Sequence, residues 1–289
     1  MESQENQYRW PKAEAVYPDR PGRSYALKRL RYRLRAFSHR GLIAQFEQFI
    51  NQHPFLVKLL NEHADYSYPL VYRFLDKRFN RKQRFQAICD NLRFLPEKLT
   101  ALSTPIYKTP LSFGVVIPDF EMTLSMTTHQ PMEGYWVLEL WHKPRNELVY
   151  LPTFAKLGES LLISVVQGPN FEGSKEMVKQ LTKTCYGLRP AYLMVETMKA
   201  LTKVLGFNQL LGIPQKYQNK SRFIQSSHYV VDYDAIFAES GGQLTDYWEL
   251  PLEIDRNLDD VPSKKRSMYR KRYAMLDDLA KLIEEKLGL

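Results

Sequence analysis

His228 is the side chain of this sequence best suited to acid–base chemistry. It lies in the polar segment SRFIQSSH, and Tyr233 and Asp234 follow it a few residues later. A histidine titrates near neutral pH, so it can take a proton from an amine or a hydroxyl group. The sequence therefore predicts His228 and Tyr233 as candidate catalytic residues. The alternative is a histidine that makes only structural hydrogen bonds.

Metal chemistry is not predicted. His53 and His63 lie in or beside predicted helices with no third ligand near them, and no metal-binding motif or phosphate-binding P-loop is present. The two cysteines, Cys89 and Cys185, have neither metal-ligand spacing nor the density of a disulfide scaffold. We expect both to be reduced thiols.

Positive charge is concentrated in two segments. Residues 20–40 contain eight Lys and Arg and no acid, and residues 263–273 contain six and no acid. These fourteen charges exceed the net charge of +9, so the rest of the chain carries a net −5. Such segments are suited to the phosphates of anionic lipid or nucleic acid. The candidate membrane or anion contacts are Lys28, Arg29, Arg31, Arg33, Arg35, Lys264, Lys265, Arg266 and Arg270.

The N-terminal basic segment (residues 20–40) is predicted to form an amphipathic helix. Leu27, Leu30, Leu34 and Phe37 recur at three- and four-residue steps and form one apolar face. We expect this face to pack on the protein, with the arginines solvated. The alternative is a helix that lies on anionic lipid or follows phosphates, since the segment contains no acidic partner. The polar, proline-containing lead-in over residues 1–22 is expected to be loose.

The remaining pattern predicts an α+β protein. The apolar residues keep a helical spacing to about residue 104. From Pro105 apolar and polar residues alternate, which predicts four antiparallel strands that end in SLLISVVQG. Two helices cross over to NQLLGIP, a strand expected to be parallel to SLLISVVQG. A short helix, a last strand and a basic C-terminal helix follow. We predict an N-terminal helical region at 1–104, an α/β domain at 105–254 and a linker with a C-terminal helix at 255–289.

Several phrases carry a family resemblance. LLISVVQGP, LTK, GLRP, LGI, YDAIFAESGG and KKRSMYRKRY resemble the VirK/YbjX family of bacterial proteins, also grouped as DUF535. The order of elements also resembles the GNAT-like acyltransferase core. That resemblance implies a mixed, mostly antiparallel sheet that holds an acyl donor, acyl-CoA or acyl-carrier protein, between two splayed strands. It implies cofactor-binding roles for Gln167, Gly168, Lys183, Gly187 and Arg189. Two residues depart from that fold's pyrophosphate loop: Arg189 replaces its second small residue, and Pro190 removes one backbone N–H donor.

The resemblance implies a role in envelope adaptation, including resistance to antimicrobial peptides and virulence. No apolar run approaches the roughly 20 residues that span a bilayer, and the first residues lack the order of a signal peptide. We therefore expect a cytoplasmic protein, peripheral at the inner membrane. Three hypotheses follow: an acyltransferase-like protein, a non-catalytic binding protein with the same fold, or a nucleic-acid-binding protein. The last is less favoured, because the rest of the chain is acidic and contains no nucleic-acid module.

Overall fold

A computed structural model describes residues 7–127, 130–219, 232–259 and 261–288. Within these ranges a 3-10 helix spans Ala64–Val71, and the α-helices are α1 Ala13–Val16, α2 Ala26–Ser38, α3 Arg40–Asn51, α4 Pro54–Glu62, α5 Arg81–Lys98, α6 Ser174–Thr184, α7 Pro190–Val204, α8 Tyr233–Glu239 and α9 Ser263–Leu287. The strands are β1 Leu111–Ile117, β2 Phe120–Met126, β3 Trp136–His142, β4 Glu147–Leu157, β5 Ser160–Gln167, β6 Leu210–Gly212, β7 Gln243–Leu244 and β8 Trp248–Leu250.

All eight strands form one sheet in the order β1-β2-β3-β4-β5-β6-β8-β7. β5 and β6 are parallel, and the other neighbours are antiparallel. The predicted α+β class is confirmed, with helices at the N-terminus, a mostly antiparallel sheet and a C-terminal helix. β1 was not predicted: Gly114, at φ +87°, and two register shifts interrupt its alternation.

The crossover from β5 to β6 depends on close packing at one glycine. Leu193, Met198 and Leu201 of α7 are fully buried, as the periodicity of that helix predicts. On β6, a Cβ at Gly212 would lie 2.7 Å from the ring of Phe237 on α8. Only glycine lets α8 approach the strand this closely.

The N-terminal helices share their core with the sheet. One continuous set of buried side chains extends from Tyr8 to Leu287. The expectation of a loose lead-in is wrong for its described part, because Tyr8 is buried and its hydroxyl lies 2.7 Å from Ser67 Oγ. Buried aromatic side chains such as Tyr8 hold this polar stretch against the N-terminal helices. No helix within the described ranges has the length and apolar character needed to cross a membrane.

Candidate functional site

The predicted catalytic pair is only partly described. His228 lies outside the described residues, whereas Tyr233 begins α8 and is 5% exposed. The Tyr233 N–H donates to Gln215 Oε1 at 3.1 Å. Its neighbour Asp234 accepts hydrogen bonds from the Gln215 N–H at 3.0 Å and from Trp248 Nε1 at 2.8 Å. These contacts join α8 to β8 and to the turn after β6. The burial of Tyr233 leaves little of it accessible to a substrate.

The two parallel strands separate, but residues of the chain itself occupy the split. β5 pairs with β6 only over Leu161–Ile163, and the last bond runs from the Ile213 N–H to the Ile163 carbonyl at 3.0 Å. Beyond it, the buried Gln218 side chain donates to the Ser164 carbonyl at 3.1 Å. An acyl chain or pantetheine arm that used this edge would have to displace Gln218.

The predicted pyrophosphate loop is the turn between α6 and α7, and α9 covers it. α6 ends at Thr184, and Gly187, at φ +78°, lies just beyond its C-cap and donates to the Thr182 carbonyl at 2.8 Å, as in a Schellman motif. Arg272 of α9 donates to the Tyr186 carbonyl at 2.8 Å, and a Cβ on Gly187 would lie 3.5 Å from Met268. The turn that would face a pyrophosphate is therefore in contact with the C-terminal helix.

The other predicted cofactor residues make separate contacts. Gln167 Nε2 donates to the buried Glu133 carboxylate at 3.1 Å, and Gly168 packs against the Tyr150 ring. Lys183 and Arg189 are exposed. Acyl-donor binding thus stays a prediction, and within the described ranges these five residues make separate contacts rather than one shared set.

An ion pair between a buried carboxylate and an exposed arginine lies at the edge of the sheet, and it was not predicted from the sequence. Asp76 is 1% exposed, and Arg78 Nη2 donates to its carboxylate at 2.6 Å. The guanidinium lies 3.8 Å from the centre of the Tyr217 ring and 4.9 Å from that of Tyr247, whose hydroxyl also donates to Asp76. Hydrogen bonding to Asp76 raises the pKa of Arg78 above its usual range. The group joins three distant segments, and the short stretch LDKRF gave no signal of it.

The largest difference from expectation is the orientation of α2. Leu27, Leu30, Leu34 and Phe37, here called the outward stripe, are 59, 50, 62 and 73% exposed. The expectation that this face packs on the protein is wrong. Tyr32, on the opposite side of the helix, is 2% exposed and stacks on Trp10 at a centroid distance of 6.0 Å.

Polar and aromatic groups fasten the inner side of α2. The Tyr32 hydroxyl donates to the Pro11 carbonyl at 2.8 Å. Arg35 donates to the Tyr68 hydroxyl at 2.6 Å and lies 4.0 Å from the centre of the Tyr72 ring. The tyrosine rings beneath α2 carry hydroxyl groups that need hydrogen-bond partners. The tyrosine and arginine side of α2 can supply such partners and leucine cannot, so this side packs against the rings in preference to the leucine stripe.

Most cations of α2 have partners within the protein. Arg29 pairs with Asp19 at 2.9 Å, and Arg33 pairs with Glu14. These acids lie upstream of the basic segment, which is why the segment itself showed none. Arg29 also holds the pKa of Asp19 below its usual range by hydrogen bonding. Lys28 lies 4.6 Å from the centre of the Tyr25 ring.

Arg31 is exposed, and within the described ranges it has no acidic partner, unlike Arg29 and Arg33. It also has no aromatic partner there, unlike Lys28 and Arg35. It is therefore the cation of this helix most available to an external anion.

The C-terminal basic segment (residues 263–273) lies on the first turns of α9. Lys264, Lys265 and Arg270 are exposed and have no acidic partner among the described residues. Arg266 instead donates to the Val261 carbonyl at 3.0 Å. Three of the four predicted contacts here can thus meet an external anion.

Two surface clefts are present elsewhere. One of about 470 Å³ lies between α5 and the turn after α7, and one of about 460 Å³ lies between α7 and α9. Lys and Glu side chains line both, and no predicted catalytic or cofactor residue that the structure describes is among them. In the part of the chain that the structure describes, no group of three or more His, Cys, Asp or Glu could hold a metal ion.

Comparison with known proteins gives the chain its family. It is 79% identical to an uncharacterized protein of Haemophilus influenzae over 98% of this chain and 97% of that one. It is 63% identical to "Membrane protein LapB" of Mannheimia haemolytica over 75% of this chain and 96% of that protein. The uncharacterized protein YbjX of Escherichia coli is 25% identical over 89% of this chain and 83% of its own length. No solved structure matches. The family model "Protein of unknown function (DUF535)" matches residues 21–285, and the chain therefore belongs to the DUF535 family.

Proposed function

We propose that this protein is a peripheral membrane protein of the cytoplasmic face, which binds anionic lipid and serves envelope adaptation, including resistance to antimicrobial peptides and virulence. One observation carries the proposal: exposed cations without an acidic partner occur in both basic segments, at Arg31 on α2 and at Lys264, Lys265 and Arg270 on α9. A basic side chain near an anionic membrane contributes about 1 kcal/mol. The name of the Mannheimia haemolytica relative, a membrane protein, agrees with this assignment.

Vesicle flotation tests the proposal. We expect the protein to float with vesicles of phosphatidylcholine and phosphatidylglycerol, and to float much less with phosphatidylcholine alone. The double variant Lys264→Glu/Lys265→Glu should weaken flotation. The matched control Lys175→Glu/Lys179→Glu makes the same change in net charge at exposed positions of α6 and should float as the unchanged protein does. Equal loss in both variants would mean that net charge, and no particular surface, drives binding.

Nucleic acid is the competing ligand for the same cations. DNA and RNA mobility shifts at the salt concentration of the flotation assay separate the two, because both attractions weaken as salt rises. We expect lipid binding under conditions in which nucleic acid shows no shift. The reverse result would overturn the proposal.

We further propose that the acyltransferase-like arrangement serves binding rather than acyl transfer. Gln218 in the split between β5 and β6, and α9 over the Gly187 turn, support this version. The parallel pair that separates after Ile163 favours the alternative, an acyltransferase that binds acyl-CoA or acyl-carrier protein.

Calorimetry and thermal shift with acetyl-CoA, palmitoyl-CoA and acylated carrier protein distinguish the two versions. We expect no binding, and we expect His228→Ala to leave vesicle binding intact. Saturable binding that is lost in Arg189→Ala would establish the acyl-donor site instead.

A further inference from the structure

The outward stripe of α2 is unusual for a protein surface. Isolated exposed leucines are ordinary, but four large apolar side chains on one helical face form a continuous patch, which marks an interaction site. The other large apolar side chains exposed to this extent in the described ranges are Val115 and Leu244, on separate strands. The stripe is a property of α2 itself, since its steps of three and four residues keep it on one line.

The protein holds α2 in this orientation before any partner arrives. Tyr32 is buried against Trp10, and Arg35 is bound to Tyr68 and Tyr72, so the helix cannot roll to hide the stripe without breaking these contacts. A partner that covers the stripe therefore need not order the helix first.

Charge around the outward stripe selects the kind of partner. Arg31 borders it without an acidic partner, and the Arg40 guanidinium lies 5.8 Å from the centre of the Phe37 ring. The nearest acids upstream in the sequence, Glu14 and Asp19, are already paired with Arg33 and Arg29. A second copy that used the same face would bring arginine toward arginine, which is destabilising. An anionic bilayer offers an apolar layer beneath a layer of phosphates, and it matches both features.

The dimensions of α2 fit the plane of the interface. Its 13 residues extend about 20 Å, which is too short to span a bilayer of about 30 Å. Amphipathic helices of this kind lie parallel to the surface with their apolar face about 5–10 Å below it.

We infer that α2 is an interfacial anchor: it lies in the plane of an anionic bilayer with Leu27, Leu30, Leu34 and Phe37 among the acyl chains and Arg31 at the phosphates. This inference rests on the proposed function and adds that attachment occurs by apolar insertion as well as by charge. It therefore predicts a component of binding that persists at high salt, because burial of apolar surface is not screened.

A fluorescent label placed in the stripe tests insertion directly. Leu34→Cys can be labelled selectively with an environment-sensitive fluorophore, since Cys89 and Cys185 are buried and burial raises the pKa of each thiol to about 12. The matched control is Gln180→Cys, an exposed position on α6 outside both basic segments. With vesicles of phosphatidylcholine and phosphatidylglycerol, we expect a blue shift and quenching by spin-labelled acyl chains at position 34 and neither at 180.

A second variant keeps the inference separate from the proposed function. Leu30→Ser/Leu34→Ser retains every cation and alters only exposed side chains, so its thermal unfolding should match that of the unchanged protein. We expect at least about tenfold weaker partition into the same vesicles at 0.5 M salt, from the apolar surface it no longer buries. If the protein floats but the label at 34 stays in water and this variant floats normally, insertion is wrong and charge-driven binding stands.

The remaining outcomes are also decisive. Absence of flotation in the unchanged protein would overturn both the inference and the proposed function. A dimer in light scattering that becomes a monomer in Leu30→Ser/Leu34→Ser would assign the outward stripe to a second copy of the chain and overturn the membrane anchor.

Discussion

Helices α2 and α9 have the same sequence character and opposite orientations. Each carries a basic cluster without acids and an apolar stripe at helical spacing. On α9 the stripe is inside: Leu276, Leu279, Ile283 and Leu287 are buried, and the helix packs against α7 and β1. On α2 the stripe is outside, with 50–73% of each side chain exposed.

The difference comes from the surfaces that receive the two helices. α7 offers α9 an apolar face, so leucines provide the favourable contact. The lead-in and the 3-10 helix offer α2 a group of aromatic rings, among them Trp10, Tyr17 and Tyr68, and these bind the tyrosine and arginine side. Amphipathicity therefore says that a helix has two different sides, and the neighbouring elements decide which side is buried.

The largest expected effect compares the two stripes. Ile283→Ala on α9 removes a fully buried side chain and should lower the free energy of unfolding by about 3 kcal/mol. Leu34 on α2 is 62% exposed, so Leu34→Ala should change the free energy of unfolding by less than about 0.5 kcal/mol. Urea unfolding of both variants measures the contrast. Similar losses would mean that α2 buries its stripe in solution.

A smaller effect separates the two sides of α2. Arg35→Gln loses the contacts with Tyr68 and Tyr72, so we expect the free energy of unfolding to fall by about 1–2 kcal/mol. Arg31→Gln, its matched control on the exposed side, should leave the unfolding free energy within about 0.5 kcal/mol. If Arg31→Gln were the more destabilising variant, the assignment of the Arg35 side of α2 as its inner side would be wrong.

The smallest expected effect is the change in the stability of α2 with pH. The pKa of Asp19 is lowered mainly by hydrogen bonding to Arg29, and that of Glu14 by its own backbone N–H and by Arg33. A lowered carboxyl pKa contributes stability that is present above the usual value of about 4 and is lost as pH falls through the folded value. α9 carries one such carboxyl, Asp277, whose pKa is lowered by hydrogen bonding to Arg256. Its buried apolar stripe also holds it on α7, so the stability of α9 should depend on pH more weakly than that of α2.

Hydrogen exchange of α1 and α2 at pH 5 and pH 3, corrected for intrinsic rates, measures this loss. We expect reduced protection at pH 3 in the unchanged protein and little change with pH in Glu14→Gln/Asp19→Asn. Exchange of α9 in the same samples gives the comparison between the two helices. Equal pH dependence in the double variant would assign the effect to other carboxylates.

Much of the fold followed from local pattern. Alternation over Phe120–Met126 and over Trp136–His142 predicted β2 and β3, because one buried side of a strand imposes a period of two. The continuous apolar run ending at Gln167 predicted β5, which is buried on both sides. β1 was not predicted, since Gly114 and two register shifts break its two-residue period. β7 has only two residues, too few for any period to be visible.

The candidate site was predicted less completely. The cationic residues were found from charge alone, but their partners Glu14 and Asp19 lie outside the basic segment and could be assigned only in three dimensions. In the same way, Gln218 reaches Ser164 across 54 residues, and Arg272 reaches Tyr186 across 86. No local spacing predicts such contacts.

The sequence by itself determined that α2 and α9 are basic amphipathic helices, because side-chain direction along a helix follows from its period of 3.6 residues. Only the tertiary structure decided that Leu34 faces outward and Ile283 inward. Burial depends on which surfaces meet, and those surfaces are assembled from residues far apart in the chain.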